Sequence, residues 1–267
     1  MYNSYFDNKI IWITGASSGI GEALAVSLAK CNARLILSSR RESELLRVKD
    51  LCEQSGSKVK ILVLDLLKSD ELVQKSKEAI SLYGKIDIFI NNGGVTQRSL
   101  IVETPIEVDR KIMEVDYFGG VIITKAILPT MIENKYGHIV SISSISGCFG
   151  FPLRSAYCAA KHAMYGFFET VHAELSDKNI FSTIIAPGRI NTTISTNAIT
   201  KDGTAYGKMD HGQAGGMDVT VFAHKTLKAI SKKKVEAVIG GKEIIMVFLR
   251  RKFSFVFFRI VKKVNPI

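Results

Sequence analysis

At 267 residues, with 46% apolar and 23% charged side chains, the chain is long enough to bury a large core, and its composition excludes a disordered, collagenous or disulfide-built protein. Its formal net charge of +11 is unevenly placed: residues 1–224 hold 24 basic and 23 acidic side chains, residues 225–267 hold 12 and 2. A nearly neutral body argues against a body-wide nucleic-acid surface and leaves the basic end to an anionic membrane surface or to solvent.

Short apolar runs at residues 10–13, 35–37, 59–64, 86–90, 138–142, 182–186 and 236–239 alternate with stretches of helical periodicity at 21–31, 42–54, 69–83, 106–134 and 155–177. Near-continuous Val, Ile and Leu in the short runs is the pattern of strands covered on both faces, so the expected fold is α/β, a doubly wound parallel sheet flanked by helices in a single domain over 1–242. Two segments break the rhythm. Residues 191–218 are rich in Thr, Gly and Asn and too long for an ordinary connection, hence a functional lid or a disordered insert. Residues 243–267 form a basic amphipathic extension.

Cys31, Cys52, Cys148 and Cys158 show no CxxC pairing and no histidine at ligand spacing, so no metal site or redox dithiol is expected, and they fit a reducing compartment. The N-terminus lacks a basic segment followed by an apolar one, and no 18 apolar residues are consecutive. Neither a signal peptide nor a spanning helix is expected, and a cytoplasmic location follows as the expectation.

The first strand leads into Thr14-Gly15-Ala16-Ser17-Ser18-Gly19-Ile20-Gly21 and then a helix. Strand, glycine turn and helix together form a phosphate cradle: glycines admit close approach of a pyrophosphate, and the helix N-terminus offers unpaired N–H groups. The spacing is GxxxGxG, and the plain alternative is a glycine-rich connection that binds nothing. About twenty residues on, strand two ends in Ser38-Ser39-Arg40-Arg41, where an acid would serve NAD and a cation the 2′-phosphate of NADP. Arg40, with Ser39 as hydroxyl donor, therefore favours NADP(H) over NAD(H), unless the two arginines simply begin a solvated helix.

Ser144 follows the strand at 138–142, and Tyr157 and Lys161 lie four apart on one face of a helix. An ammonium beside a phenol favours the phenolate, which makes Tyr157 a usable general acid or base, while Ser144 at the carboxyl end of a parallel strand sits where such sheets bind ligands. The YxxxK string alone is weak; its combination with Ser144 and the glycine turn is much stronger.

These strings, together with Asp65 after strand three, Asn91-Asn92-Gly93-Gly94 and Pro187-Gly188-Arg189-Ile190-Asn191-Thr192, resemble the short-chain dehydrogenase/reductase family over nearly the whole chain. The resemblance implies a Rossmann-like domain with a seven-stranded parallel sheet. It implies that Gly15, Ser17, Ser18, Gly19, Ile20 and Gly21 form the pyrophosphate turn, that Asp65 and Leu66 contact the adenine, and that Asn92 and Gly93 follow the ribose. Pro187, Gly188, Ile190 and Thr192 would border the nicotinamide, Lys161 would also bond its ribose, and residues 191–218 would be the substrate lid. Dimers or tetramers are implied as well.

The chain departs from the family pattern at Gly93, usually alanine, and at Asp116, usually an asparagine supporting a proton relay. Asp116 is expected to pair with Lys161 and alter its help to Tyr157. Gly207-Lys208-Met209-Asp210, Gly215-Gly216-Met217 and the extension are most similar to the dehydrogenase/reductase member 7 and 7B branch. The function expected is NADP(H)-dependent interconversion of a carbonyl and a secondary alcohol on a lipophilic small molecule. The alternative is a weakly active nucleotide-binding sensor or scaffold recruited to membranes by its tail.

In that tail Ile245, Phe248, Leu249, Phe253, Val256, Phe257, Ile260 and Val264 follow helical spacing and six basic residues interrupt them. This pattern suits an interfacial helix peripheral to a membrane or a helix packed on the body or a second subunit; no base-reading motif accompanies the charge, so no nucleic acid is expected. Cys148 and Cys158 are expected to be unreactive buried or half-buried thiols, and Trp12 to be core packing.

Overall fold

The computed structural model describes residues 2–264. After a single turn, α1 (Asn3–Phe6), the chain enters β1 (Ile10–Thr14), which is buried at every position. Its side chains alternate between two layers. Ile11 and Ile13 join Leu24, Leu28, Phe222 and Leu227 on one face, while Ile10 and Trp12 join Leu72, Ile123 and Phe168 on the other. Trp12 is fully buried, its indole N–H donating to Ser38 Oγ at 2.9 Å.

The same double burial explains why the other strands read as continuous apolar runs. They are β2 (Arg34–Ser39), β3 (Val59–Val63), β4 (Ile88–Asn91), β5 (Gly137–Ile142), β6 (Ile180–Pro187) and β7 (Glu236–Ile239). All seven are parallel in the order β3-β2-β1-β4-β5-β6-β7. β4 starts two residues later than its apolar run because Asp87 is drawn onto β1: its carboxylate accepts from the Ile10 N–H at 2.9 Å. The helices α2 (Gly19–Ala29), α3 (Glu42–Glu53) and α9 (Val219–Ser231) cover the first face; α4 (Ser69–Tyr83), α6 (Gly119–Glu133) and α7 (Ser155–Leu175) cover the second. The strand order reverses between β1 and β4, which opens a crevice at their carboxyl ends, where open α/β sheets bind ligands.

The stretch expected as one helix over 106–134 is continuous but not uniform. α5 (Ile106–Met113) passes through one wide π-type turn, Glu114–Phe118, into α6. The whole stretch Ile106–Glu133 is long and apolar enough to cross a membrane, yet half of its most apolar window is buried inside the domain, with Ile112, Ile123 and Ile127 fully enclosed. It is a core helix here.

Residues 191–218 fold over the crevice and carry the short α8 (His211–Ala214). Ile199 pairs with Gln97 and Met217 with Ile190, so this segment is stitched to the body by backbone bonds, while Ile199 also pairs with Ala205 within it. The basic extension forms two helices, α10 (Ile245–Lys252) and α11 (Ser254–Val261), broken at Phe253; residues 265–267 of the predicted tail lie outside the described residues. Val247 and Phe257 are buried against Phe149, so one face of the pair packs on the body.

At the amino end of β5, His138 is enclosed between Tyr5, whose hydroxyl meets Nδ1 at 2.8 Å, and Thr183, whose hydroxyl meets Nε2 at 2.8 Å. Burial, with Lys233 nearby, pushes its pKa down to about 3. The unfolded chain therefore takes up a proton near the ordinary histidine pKa that the folded chain refuses, so stability falls as pH falls through that window. Between about pH 7 and about pH 4 the urea-unfolding free energy of His138→Gln should decline less steeply than that of the parent, by up to about 1.4 kcal/mol per pH unit. Parallel slopes would show that His138 is not held neutral.

Candidate active site

The glycine turn is held by contacts that leave no room for side chains. Gly15 has φ +64°, and a Cβ there would lie 2.7 Å from the Gly93 Cα; a Cβ on Gly21 would lie 2.2 Å from the Gly15 carbonyl oxygen. The end of β4 is strapped to the same turn. Thr14 Oγ1 accepts from the Asn92 and Gly93 N–H groups, both at 3.1 Å, and the Asn92 side-chain amide donates to the Thr14 and Gly15 carbonyls at 3.0 and 3.1 Å. At Gly93 a Cβ would lie 2.5 Å from Leu66 Cδ1, so the leucine end takes the room of the family's usual methyl.

Every site residue expected from the sequence except Gly21 lines one cleft of about 530 Å³. Gly21 is a correction: it lies behind the turn, where its missing side chain lets α2 pass the Gly15 carbonyl. Arg41 is an addition. Its guanidinium donates to Ser17 Oγ and Ser18 Oγ, both at 3.0 Å, so it reaches over the turn while Arg40 stands at the exposed end of β2 beside Ser39. Six cations line the cleft against two carboxylates, a field suited to an anionic ligand.

On the cleft's other wall Ser144, Tyr157 and Lys161 come together. Ser144 lies two residues beyond β5 and accepts the Ser146 N–H at 3.1 Å, which leaves its own hydroxyl proton available to a ligand. Lys161 Nζ lies 5.5 Å from the Tyr157 ring centroid, donates to the Ile142 carbonyl at 3.2 Å, and faces Asp116 Oδ2 at 3.3 Å. Asp116 sits in the wide turn of the long helix and accepts from the Val95 N–H at 2.7 Å. The expected pairing of Asp116 with Lys161 is thus present. Burial opposes the Lys161 charge, but Asp116 and Tyr157 outweigh it and hold the ammonium above the usual lysine range. Burial pushes the Asp116 carboxyl above the usual carboxylate range despite the opposing pull of Lys161 and the Val95 N–H.

Sequence reasoning missed the latch that ties residues 191–218 to the body. Asp210 is bound by Arg98 and Arg154, the latter at 3.2 Å, with the Arg98 and Asp210 side chains only 2% and 3% exposed. Arg98 and Arg154 line the cleft, and the partners lie 112 and 56 residues apart, so no local pattern could show them. Gln97, also buried, accepts the Ala156 N–H at 2.9 Å through Oε1 and so fixes the start of α7 about one and a half turns before Lys161. Cys148 and Cys158 match expectation: burial pushes both thiols up, away from the reactive thiolate.

With this geometry in view, the likeness to known proteins is direct. Residues 9–203 match the family model for short chain dehydrogenases. The chain belongs to the short-chain dehydrogenase/reductase family. It is 43% identical over 265 residues to a dehydrogenase/reductase SDR family protein 7-like of Anopheles gambiae, covering 97% of this chain and 84% of that one. It is 37% identical over 265 residues to the dehydrogenase/reductase SDR family member 7B of Rattus norvegicus, covering 97% and 82%. Among solved structures, a family member from Burkholderia phymatum in complex with NAD superposes with a TM-score of 0.82 at 22% identity, over 98% of this chain and 97% of the other. An alcohol dehydrogenase from Thermococcus sibiricus complexed with 5-hydroxy-NADP superposes at 0.75 with 24% identity, over 88% and 97%. Membership makes the chain an oxidoreductase whose fold binds nicotinamide dinucleotides and whose substrates are small carbonyl or alcohol compounds. The residues present fit such a cofactor: the turn is a cradle that a Cβ at Gly15 would fill, flanked by hydroxyls and guanidinium groups.

Asp210→Ala would strand Arg98 and Arg154 in a buried site without their carboxylate. The expected loss is about 3–5 kcal/mol in urea unfolding, with faster proteolysis within residues 191–218. An unchanged unfolding midpoint would remove the latch from the account.

Proposed function

We propose that the chain is an NADP(H)-dependent oxidoreductase interconverting a carbonyl and a secondary alcohol on a lipophilic small molecule, with Tyr157 as general acid and base. The observation that carries this reading is that Ser144, Tyr157 and Lys161 share one cleft with the glycine turn. The nicotinamide ring supplies the hydride acceptor or donor.

In the reducing direction Tyr157 gives its phenolic proton to the carbonyl oxygen; in the oxidising direction it takes the proton from the alcohol. Ser144 points its hydroxyl proton at the same oxygen and holds it in place, since the lone pair facing away is already bonded to the Ser146 N–H. Lys161, fixed by Ile142 and Asp116, places a positive charge beside the phenol and offers hydrogen bonds to ribose hydroxyls. The turn from Gly15 to Ile20 receives the pyrophosphate, Asp65 and Leu66 the adenine, Asn92 and Gly93 the adjoining ribose, and Pro187 to Thr192 the carboxamide end. The preference for NADP(H) rests on the two arginines and Ser39 at the end of β2, where NAD(H) enzymes place an acid.

The alternative, nucleotide binding with weak or no turnover, is favoured by one observation: the carboxylate of Asp116 partly neutralises the lysine that assists Tyr157. Turnover separates the two. Purified protein should oxidise NADPH with a panel of apolar ketones, and Tyr157→Phe should lower that rate by about 10²–10⁴-fold while keeping the nucleotide-induced rise in Tm. Equal rates would remove Tyr157 from the chemistry, and stabilisation by nucleotide without turnover on any ketone or alcohol would support the sensor.

Arg40→Asp and Arg41→Asp should each lower the ratio of NADPH to NADH kcat/KM by about ten- to a hundredfold, the worth of one charge-assisted hydrogen bond. A ratio unmoved by both would place the 2′-phosphate elsewhere.

A further inference from the structure

The helices α10 and α11 have two unlike faces. Inward, Val247 and Phe257 pack on Phe149, supported by Ile145, Phe151 and Val238, and Arg251 is tied to Glu236 at 2.6 Å. Outward, Phe255 is 67% and Phe258 55% exposed, and Ile245, Phe248, Phe253, Val256 and Ile260 are also exposed. These side chains form an ordered array. Phe248 and Phe253 lie 5.8 Å apart across the break between the helices, Arg250 stands over the Phe258 ring at 5.2 Å, and Arg259 over the Phe255 ring at 4.0 Å. Among the described residues, none of Arg250, Lys252, Arg259, Lys262 and Lys263 is paired with a carboxylate.

We propose that this outward face docks the protein on an anionic lipid surface, with the phenylalanines at the headgroup level and the cations on the lipid phosphates and carboxylates. The charge selects the occupant. A second copy would bring the same unpaired cations face to face, and like charges oppose that contact. A nucleic acid would take up the cations but leave Ile245, Val256 and Ile260 in water. A bilayer carrying acidic lipids satisfies both: apolar rings enter the acyl boundary while guanidinium and ammonium groups reach the anions. Guanidinium groups already stacked on rings hold charge and apolar surface at one level, the arrangement an interface needs.

The inner face fixes what docking would accomplish. Phe149, on which Phe257 rests, also lines a small cavity with Ser144 and Arg154. The docked surface is therefore one side chain away from the cleft wall, which would bring the cleft close to the bilayer. The docking itself does not rest on the oxidoreductase reading, since its test measures no turnover.

The test is flotation of the purified full chain with vesicles of phosphatidylcholine alone and of phosphatidylcholine with phosphatidylserine. Binding should require the acidic lipid and weaken with salt. Arg250→Ala with Arg259→Ala should lower partitioning about 30-fold. Phe248→Ser with Phe255→Ser and Phe258→Ser should lower it at least tenfold, about the worth of one buried ring, with the Tm unchanged because these side chains face outward. Equal recovery with and without acidic lipid would overturn the proposal. So would failure to float with either vesicle, a dimer that dissociates in the triple variant without any vesicle binding, or tighter binding to polyuridylate than to the acidic vesicles.

Discussion

Lys161 carries an ammonium into the wall of the cleft, and the surrounding segments are arranged to make its burial tolerable. An isolated buried charge would cost several kcal/mol and would shed its proton instead. Three pieces prevent this: the Ile142 carbonyl at the end of β5, the Tyr157 ring one helical turn earlier, and Asp116 from the long helix. Each piece fixes another. Ile142 leads to Ser144, α7 is pinned by Gln97, and Asp116 is pinned by the Val95 N–H in the loop after β4. The ammonium is thus the point where β4, β5, α7 and the long helix meet, and the cleft keeps its shape as long as that charge is satisfied.

Much of this was legible in the sequence, for physical reasons. A strand covered on both faces must be apolar at successive positions, so 10–13, 59–64 and 236–239 announced β1, β3 and β7 within a residue or so. The glycine turn was legible because no other residue tolerates φ +64° against Gly93, and the Tyr157–Lys161 pair because four residues return a helix to the same face. What escaped had no local signature. The latch joins residues up to 112 apart through charge alone, and arginines at such separation look like any solvated cations. Sequence reasoning singled out Arg40 and left its neighbour aside; only the turn between β2 and α3 decides that Arg41 is the one that reaches Ser17 and Ser18. Gly21 was assigned to the ligand because glycine patterns record close approach without saying what approaches.

The distribution of charge sorts in the same way. Most of the cations near the cleft are individually placed: Arg41 on hydroxyls, Arg98 and Arg154 on one aspartate, Lys161 on another. Those of the last two helices are mostly unpaired, and among the described residues only Arg251 is bound to a carboxylate of the body. Net charge alone would have merged these two populations.

The wide turn at Glu114–Phe118 has a consequence for how one helix serves two neighbours. Each α-helical residue advances about 100° around the axis, so the single extra residue of a π-type turn sets the halves before and after it out of phase by about that angle. α5 accordingly packs on α7 while α6 packs on α4, although both belong to one unbroken stretch of 28 residues. Two different buried stripes, Val108 and Ile112 before the turn and Ile123, Ile127 and Met131 after it, are thus laid end to end. The seam between them is also where a side chain can be turned inward without disturbing either stripe, and Asp116 occupies it. Shortening the seam by one residue would restore a single stripe, swing the carboxylate away from the lysine, and leave one of the two neighbouring helices facing the wrong side chains.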